Sequence, residues 1–297
     1  MTSPFLRSAE NDAGPSPLMS SVRRILAWLV VFVLAACGGG GGGSDAPAAT
    51  PVAAASAPAP AQHIIAYGQS LSLGERSQNG WPGDLALPAD YVDVGLMFSD
   101  GILSLGVGPL GPFRESNLRV DGRVWGIGTP GETPLYGALL ALKGLPGQRI
   151  GSAAGKGATA IAGLGKGSVP YARLLTQVTA AKALWGAGYS VPALIWMQSE
   201  SDAGNLSYAA QLTQLIADLQ ADVAKISGQA RPVQFFICTP WPRDIAAADL
   251  QLAASVAGVH VACDAAKLEK SDGLHLTARG SRAAGTSLGE AIKAALF

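Results

Sequence analysis

Four short, predominantly apolar runs, at residues 63–67, 191–197, 233–238 and 259–263, constrain this chain more than any other feature. A strand with one face in water alternates apolar and polar residues, so continuous runs require burial on both faces, as in a parallel sheet covered by helices. A fifth, weaker run lies at 149–153. Between the runs, apolar residues recur with the helical period: Tyr171, Leu174, Leu175, Val178 and Leu184 stop at Gly186 and Gly188, and Leu212, Leu215, Ile216, Leu219, Val223 and Ile226 stop at Gly228. Leu288, Ile292 and Leu296 mark a closing helix that begins near Thr277. Strands alternating with core-facing helices predict an α/β domain built on a doubly wound, mostly parallel, five-stranded sheet.

Residues 74–133 break this rhythm. They are rich in Gly and Pro, carry Trp81, Tyr91, Phe98, Phe113 and Trp125 with Arg114, Arg119 and Arg123, and read as long loops over the active face. The arginines would suit a sugar carboxylate, although solvation is the simpler account of arginines on a loop.

The N-terminal part does not read as folded protein. Arg23 and Arg24 precede an apolar run at 25–36 that is too short to cross a bilayer but suits a secretory signal, with Met19 as an alternative start. The run ends in Leu34-Ala35-Ala36-Cys37, which resembles the lipobox of bacterial lipoproteins and implies a lipidated Cys37. Six glycines and an Ala/Pro/Ser stretch follow, too poor in large apolar side chains to offset their ordering entropy. The expected organisation is a signal peptide at 1–36, a tether at 37–62 and one folded domain at 63–297. The chain is therefore expected to be exported and held at the cell envelope by its lipid. Cys238 and Cys263 then remain as an even pair in a compartment that permits disulfides; a bridge and two buried thiols both fit.

Lys and Arg together number 21, as do Asp and Glu, so no basic field exists to hold nucleic acid. Apolar residues are 48% of the chain and charged residues 14%, which excludes disorder of the whole.

Sites in doubly wound sheets form where strands end at their carboxyl termini. The first run leads into Gly68-Gln69-Ser70, the run at 191–197 into Gln198-Ser199-Glu200-Ser201-Asp202, and the segment before the last helix is Ser271-Asp272-Gly273-Leu274-His275. The chain has three histidines. His63 opens the first strand, about 23 Å from Ser70 at roughly 3.3 Å per residue, and cannot serve that serine as base. His260 lies inside the last strand, where a packed ring is expected. His275 alone is on the correct side of the sheet. A serine nucleophile needs a base to take its proton, and the base an acid to orient it; Ser70, His275 and Asp272 supply these roles.

Three blocks, Ala66-Tyr67-Gly68-Gln69-Ser70, Trp196-Met197-Gln198-Ser199-Glu200-Ser201-Asp202 and Asp272-Gly273-Leu274-His275, together resemble the SGNH hydrolases, within them the branch of sialate O-acetylesterases and related carbohydrate acetylesterases. The resemblance implies a flavodoxin-like three-layer sandwich and a catalytic triad of Ser70, Asp272 and His275. It also implies an oxyanion hole from the backbone N–H of Ser70, the side-chain amide of Gln198 and a glycine N–H, Gly157 or alternatively Gly155. Gln69 and Glu200 are expected to support these groups by hydrogen bonding. Three positions depart from the branch: Ser199 and Ala158 stand where relatives have glycine, and Leu71 where many have Asn. Glu200 and Asp202 lack a nearby His or Cys to complete a metal site, so hydrogen bonding is expected of them and no metal or cofactor is implied. The glycine-rich stretch at 155–161 has neither a GxGxxG pattern nor a GK[ST] ending, which argues against a nucleotide.

The expected activity is removal of O-acetyl groups from carbohydrates by a serine esterase. The competing readings are a lysophospholipase or thioesterase with the same machinery, and a non-catalytic glycan-binding lipoprotein.

Overall fold

A computed structural model describes residues 59–75, 77, 93–113, 132–198 and 200–297. The signal, the tether to residue 58, Cys37, Ser199, Trp81, Tyr91, Trp125 and the three loop arginines lie outside the described residues.

Five parallel strands form the body of the sheet, each close to its apolar run: β1 Ala61–Gly68, β4 Gln148–Ala153, β5 Tyr189–Met197, β6 Gln234–Thr239 and β7 Val259–Asp264. Two more, β2 Leu96–Phe98 and β3 Leu110–Pro112, extend one edge and give the order β3-β2-β4-β1-β5-β6-β7. The sheet therefore has seven strands where the apolar runs predict five. The added pair comes from the stretch read as loops. Its strands span three residues each, are antiparallel to one another, and meet the rest of the sheet through a single register point, Leu96↔Ile150. A strand that short shows no period. Ala61 and Gln62, read as the end of the tether, already belong to β1: Ala61 is buried and pairs with Gln148 and Tyr189.

Alternate residues of the strands feed two separate cores. Ile65, Tyr67, Leu194, Trp196, Phe235 and Ile237 pack against α2 Val169–Trp185, α3 Tyr208–Ser227 and α4 Arg243–Ser255. Ile64, Ala66, Ala193, Ile195 and Phe236 pack against α1 Pro134–Ala141 and α5 Ala278–Leu296. Helices on both faces make the expected three-layer sandwich. On α2 the stripe departs from expectation at its end: Ala181 is buried, whereas Leu184 is 52% exposed.

Helix starts follow side-chain chemistry. Thr133 caps α1, Ser168 caps α2 and Thr277 caps α5, each accepting an orphan N–H of the first turn. Helices α1 and α5 touch backbone to backbone. A Cβ on Gly137 would lie 2.3 Å from the Arg282 carbonyl, and one on Gly285 would lie 2.0 Å from that of Pro134, so only glycine permits the approach.

Candidate active site

At the carboxyl end of β1 the chain turns sharply. Gly68 has φ +142°, and a Cβ there would lie 2.1 Å from the Met197 carbonyl, so the position requires glycine. Gln69 N–H then donates to Met197 O at 3.0 Å, and both the N–H and hydroxyl of Ser72 donate back to Gln69 O. This closes a 3-10 turn, Ser70–Leu73, that presents Ser70 at its first position.

The segment after β7 is shaped by Asp272. Its Oδ1 accepts from the backbone N–H groups of Leu274 and His275 at 3.1 and 2.8 Å. Its Oδ2 lies 2.9 Å from His275 Nδ1. A carboxylate only accepts, so Nδ1 carries the proton and Nε2 the free lone pair. Ser271 N–H donates to His275 O, and Lys270 pairs with Leu276, which fixes the loop as a closed hairpin before α5.

The two turns meet in a cleft of about 220 Å³, lined by Gln69, Ser70, Glu75, Ala158, Glu200, Ser201, Leu274 and His275. Ser70 and His275 thus line one cleft, and Asp272 reaches it through its bond to the His275 ring. Among the described residues no hydrogen bond joins Ser70 Oγ to the His275 ring; catalytic hydrogen bonds of this kind often form only once substrate binds. Ser70 itself is 4% exposed.

The other histidines are structural. His63 is fully buried between the Tyr189 hydroxyl at 2.8 Å and the Ser152 hydroxyl at 2.7 Å, and burial pushes its pKa down to about 3. His260 stacks on Phe236 and bonds Gln234.

Gln69 Nε2 donates to Glu200 Oε2 at 2.6 Å, and Gln69 Oε1 accepts from the Ser201 N–H at 3.4 Å, so the residue before the serine is clamped by the segment after β5. Burial raises the Glu200 pKa to about 7. Asp202 is occupied by hydrogen bonds, accepting from Ile161 N–H at 2.7 Å and from Asn205 at 2.7 Å. The carboxylates of this segment thus hold loops together.

Gln198 is not where the resemblance puts it. Its Nε2 donates to Asp202 and to the Thr159 carbonyl, which uses both amide hydrogens, and the residue does not line the cleft. Reversing the amide would set its oxygen against a carboxylate and a carbonyl, so the orientation is fixed by chemistry. Its Oε1 is buried without a partner. Gly157 lies beside the cleft-lining Ala158, with a would-be Cβ 2.4 Å from Glu75 Oε1. Gly155 is pressed against the backbone of Gly68.

Sequence reasoning missed two acids. Glu75 is 4% exposed in the cleft wall, and Asp249 on α4 is fully buried with its pKa pushed up to about 8, first by burial. Glu75 falls in the stretch read as loops, and Asp249 is one polar residue in an Ala-rich helix; neither gives a sequence signal.

Residues 147–294 match the model of the carbohydrate esterase family described as sialic acid-specific acetylesterase. The match runs from β4 to α5, a range that includes Asp272 and His275 but stops short of Ser70. The chain belongs to this family. It is a carboxylic ester hydrolase with a mixed α/β fold. A solved protein from Arabidopsis thaliana is similar to this esterase at TM-score 0.60 and 24% identity, over 80% of this chain and 100% of that one. An aryl esterase from M. smegmatis is similar at TM-score 0.46 and 15% identity, over 79% and 100%. A carbohydrate acetylesterase from Sinorhizobium meliloti is similar at TM-score 0.45 and 13% identity, over 80% and 100%. No curated protein sequence matches significantly.

Proposed function

We propose that this esterase removes O-acetyl groups from carbohydrate hydroxyls at the cell envelope. The observation that carries the reading is the convergence of Ser70 with the Asp272–His275 pair on one small cleft at the carboxyl edge of the sheet. Ser70 Oγ attacks the acetyl carbonyl while His275 Nε2 takes the hydroxyl proton, and Asp272 stabilises the resulting imidazolium. The tetrahedral anion is held by the backbone N–H groups of Ser70 and Gly157; Gln198, with its amide committed elsewhere, is left out of this hole. Collapse breaks the bond to the sugar oxygen, which leaves with the proton from His275. Water then repeats the sequence on the acetyl-serine, releasing acetate and restoring Ser70.

The lysophospholipase or thioesterase reading differs in acyl length. Each methylene buried by a long pocket contributes about 0.8 kcal/mol, so a lipase-like site improves several-fold per added carbon. The small cleft beside Ser70, about 220 Å³, supports the acetyl reading. The test is kcat/KM on nitrophenyl esters from acetate to octanoate, with acetate release from a panel of acetylated glycans, sialic acids first, and Ser70→Ala as the blank. A decline with chain length is expected; a rise towards octanoate would reject the acetylesterase assignment.

Export and lipidation at Cys37 belong to the same proposal and rest on the lipobox-like sequence. Wild-type protein should resist extraction from membranes by high salt, and Cys37→Ala should release it with activity intact.

A further inference from the structure

A second cavity lies apart from Ser70, where β6 and β7 end. It holds about 540 Å³ and is walled by Thr239, Trp241, Arg243, Leu250, Asp264 and Lys267. Several observations make it a built site. It opens on the same carboxyl edge of the sheet as Ser70, and adjacent strands are about 4.8 Å apart, so the gap between β6 and β7 lies roughly 12 Å along the sheet from β1. That is too far for the acetylated ring and within reach of a neighbouring ring of the same chain.

Its walls suit a sugar. Trp241 is 52% exposed, a flat apolar platform of the kind that stacks on a pyranose face. The Arg243 guanidinium has no carboxylate partner among the described residues, while Lys267 is matched by Asp264 at 3.5 Å. The pocket therefore carries one uncompensated, fork-shaped cation suited to a carboxylate. Its floor is also stapled. The Cys238–Cys263 disulfide joins β6 and β7 one residue before Thr239 and Asp264, and the Thr239 hydroxyl donates to Cys263 O. A cross-link between two strands that already pair holds the two walls at a fixed separation.

We infer that this pocket is a second glycan subsite, which binds a carboxylate-bearing sugar adjacent to the acetylated one by stacking on Trp241 and pairing with Arg243. The inference rests on the carbohydrate acetylesterase reading above.

The full-length esterase, with Trp241→Ala and Arg243→Gln, is assayed on four probes: nitrophenyl acetate, O-acetylated sialic acid, O-acetylated sialyllactose with its neutral neighbouring sugar, and O-acetylated disialic acid with its carboxylated one. Wild type should favour disialic acid over sialyllactose. Both variants should lose about tenfold in kcat/KM on disialic acid, through KM, the scale of one lost stacking or charge-assisted contact. They should keep wild-type rates on nitrophenyl acetate and the monosaccharide, and Arg243→Gln should abolish the preference for the acidic neighbour. Unchanged kcat/KM on disialic acid, or an equal loss on nitrophenyl acetate, would overturn the subsite while leaving the esterase reading intact. Acetate release from none of the three sugars, with nitrophenyl acetate still hydrolysed, would instead overturn the sialic acid reading on which the subsite rests.

Discussion

Asp272 grips His275 at two points, its Oδ1 accepting the backbone N–H at 2.8 Å and its Oδ2 facing ring Nδ1 at 2.9 Å. One carboxylate thereby sets the loop and the tautomer together.

Asp272→Asn tests that coupling. An amide keeps an acceptor for the backbone N–H groups but can donate to Nδ1, which moves the imidazole proton to Nε2 where Ser70 needs a lone pair. The expected loss in kcat on nitrophenyl acetate is about a thousandfold or more, with the melting temperature little changed. A loss under about tenfold would remove Asp272 from the mechanism.

For Gln198→Ala the expected phenotype is structural. Truncation leaves Asp202 and the Thr159 carbonyl short of a buried donor, which costs about 1–3 kcal/mol. Denaturant unfolding should register that loss. Unaltered stability with kcat down a hundredfold or more would return the amide to the oxyanion hole.

Ala158 has φ +48° and places its Cβ in the cleft wall, at a position where the resembling branch has glycine. A left-handed conformation costs a residue with a Cβ roughly 1–2 kcal/mol, part of which is offset by the smaller entropy of its unfolded chain. Ala158→Gly should therefore gain about 0.5–1 kcal/mol in denaturant unfolding. By clearing the wall it should also raise the rate on propionyl relative to acetyl esters. A lower unfolding midpoint, with that ratio unmoved, would count against both claims.

His63 makes stability depend on pH. Its folded pKa, about 3, lies below the ordinary value of 6.5 because burial disfavours the cation. The unfolded chain therefore binds the proton first, and the stability that His63 provides is complete above pH 6.5 and lost progressively as pH falls towards 3. From pH 7 to pH 5 that loss amounts to about 2 kcal/mol. His63→Gln keeps groups able to bond Tyr189 and Ser152 but cannot be protonated, so it should be flatter than wild type over that interval in chemical unfolding. Parallel slopes would show that His63 is not the sensor.

The strand body was legible because burial on both faces leaves a continuous apolar run, as at 191–195, and His275 was legible because the other two histidines sit on the wrong side of the sheet. Helix α1 was not. Pro134-Leu135-Tyr136-Gly137-Ala138-Leu139 is buried all round, and a helix without a polar face shows no period. Helix α4, Ala-rich, shows too few large side chains to mark its stripe. Gln198 failed for a different reason: the sequence shows which side chains can donate, but the acceptor that claims an amide, here Asp202 four residues on, depends on how the loop folds back.

The strand that carries Ser70 is made first and paired late. β1 lies between β4 and β5, so its neighbours on both sides are supplied by residues far downstream, Gln148–Ala153 and Tyr189–Met197. Such non-local parallel pairing forms slowly, because a long loop must close before any contact rewards it. During vectorial synthesis the chain therefore holds its nucleophile on an unpartnered strand until more than half of its length has emerged. Catalytic competence and completion of the sheet arrive together, and a truncated chain ending before β5 is expected to be inert rather than weakly active.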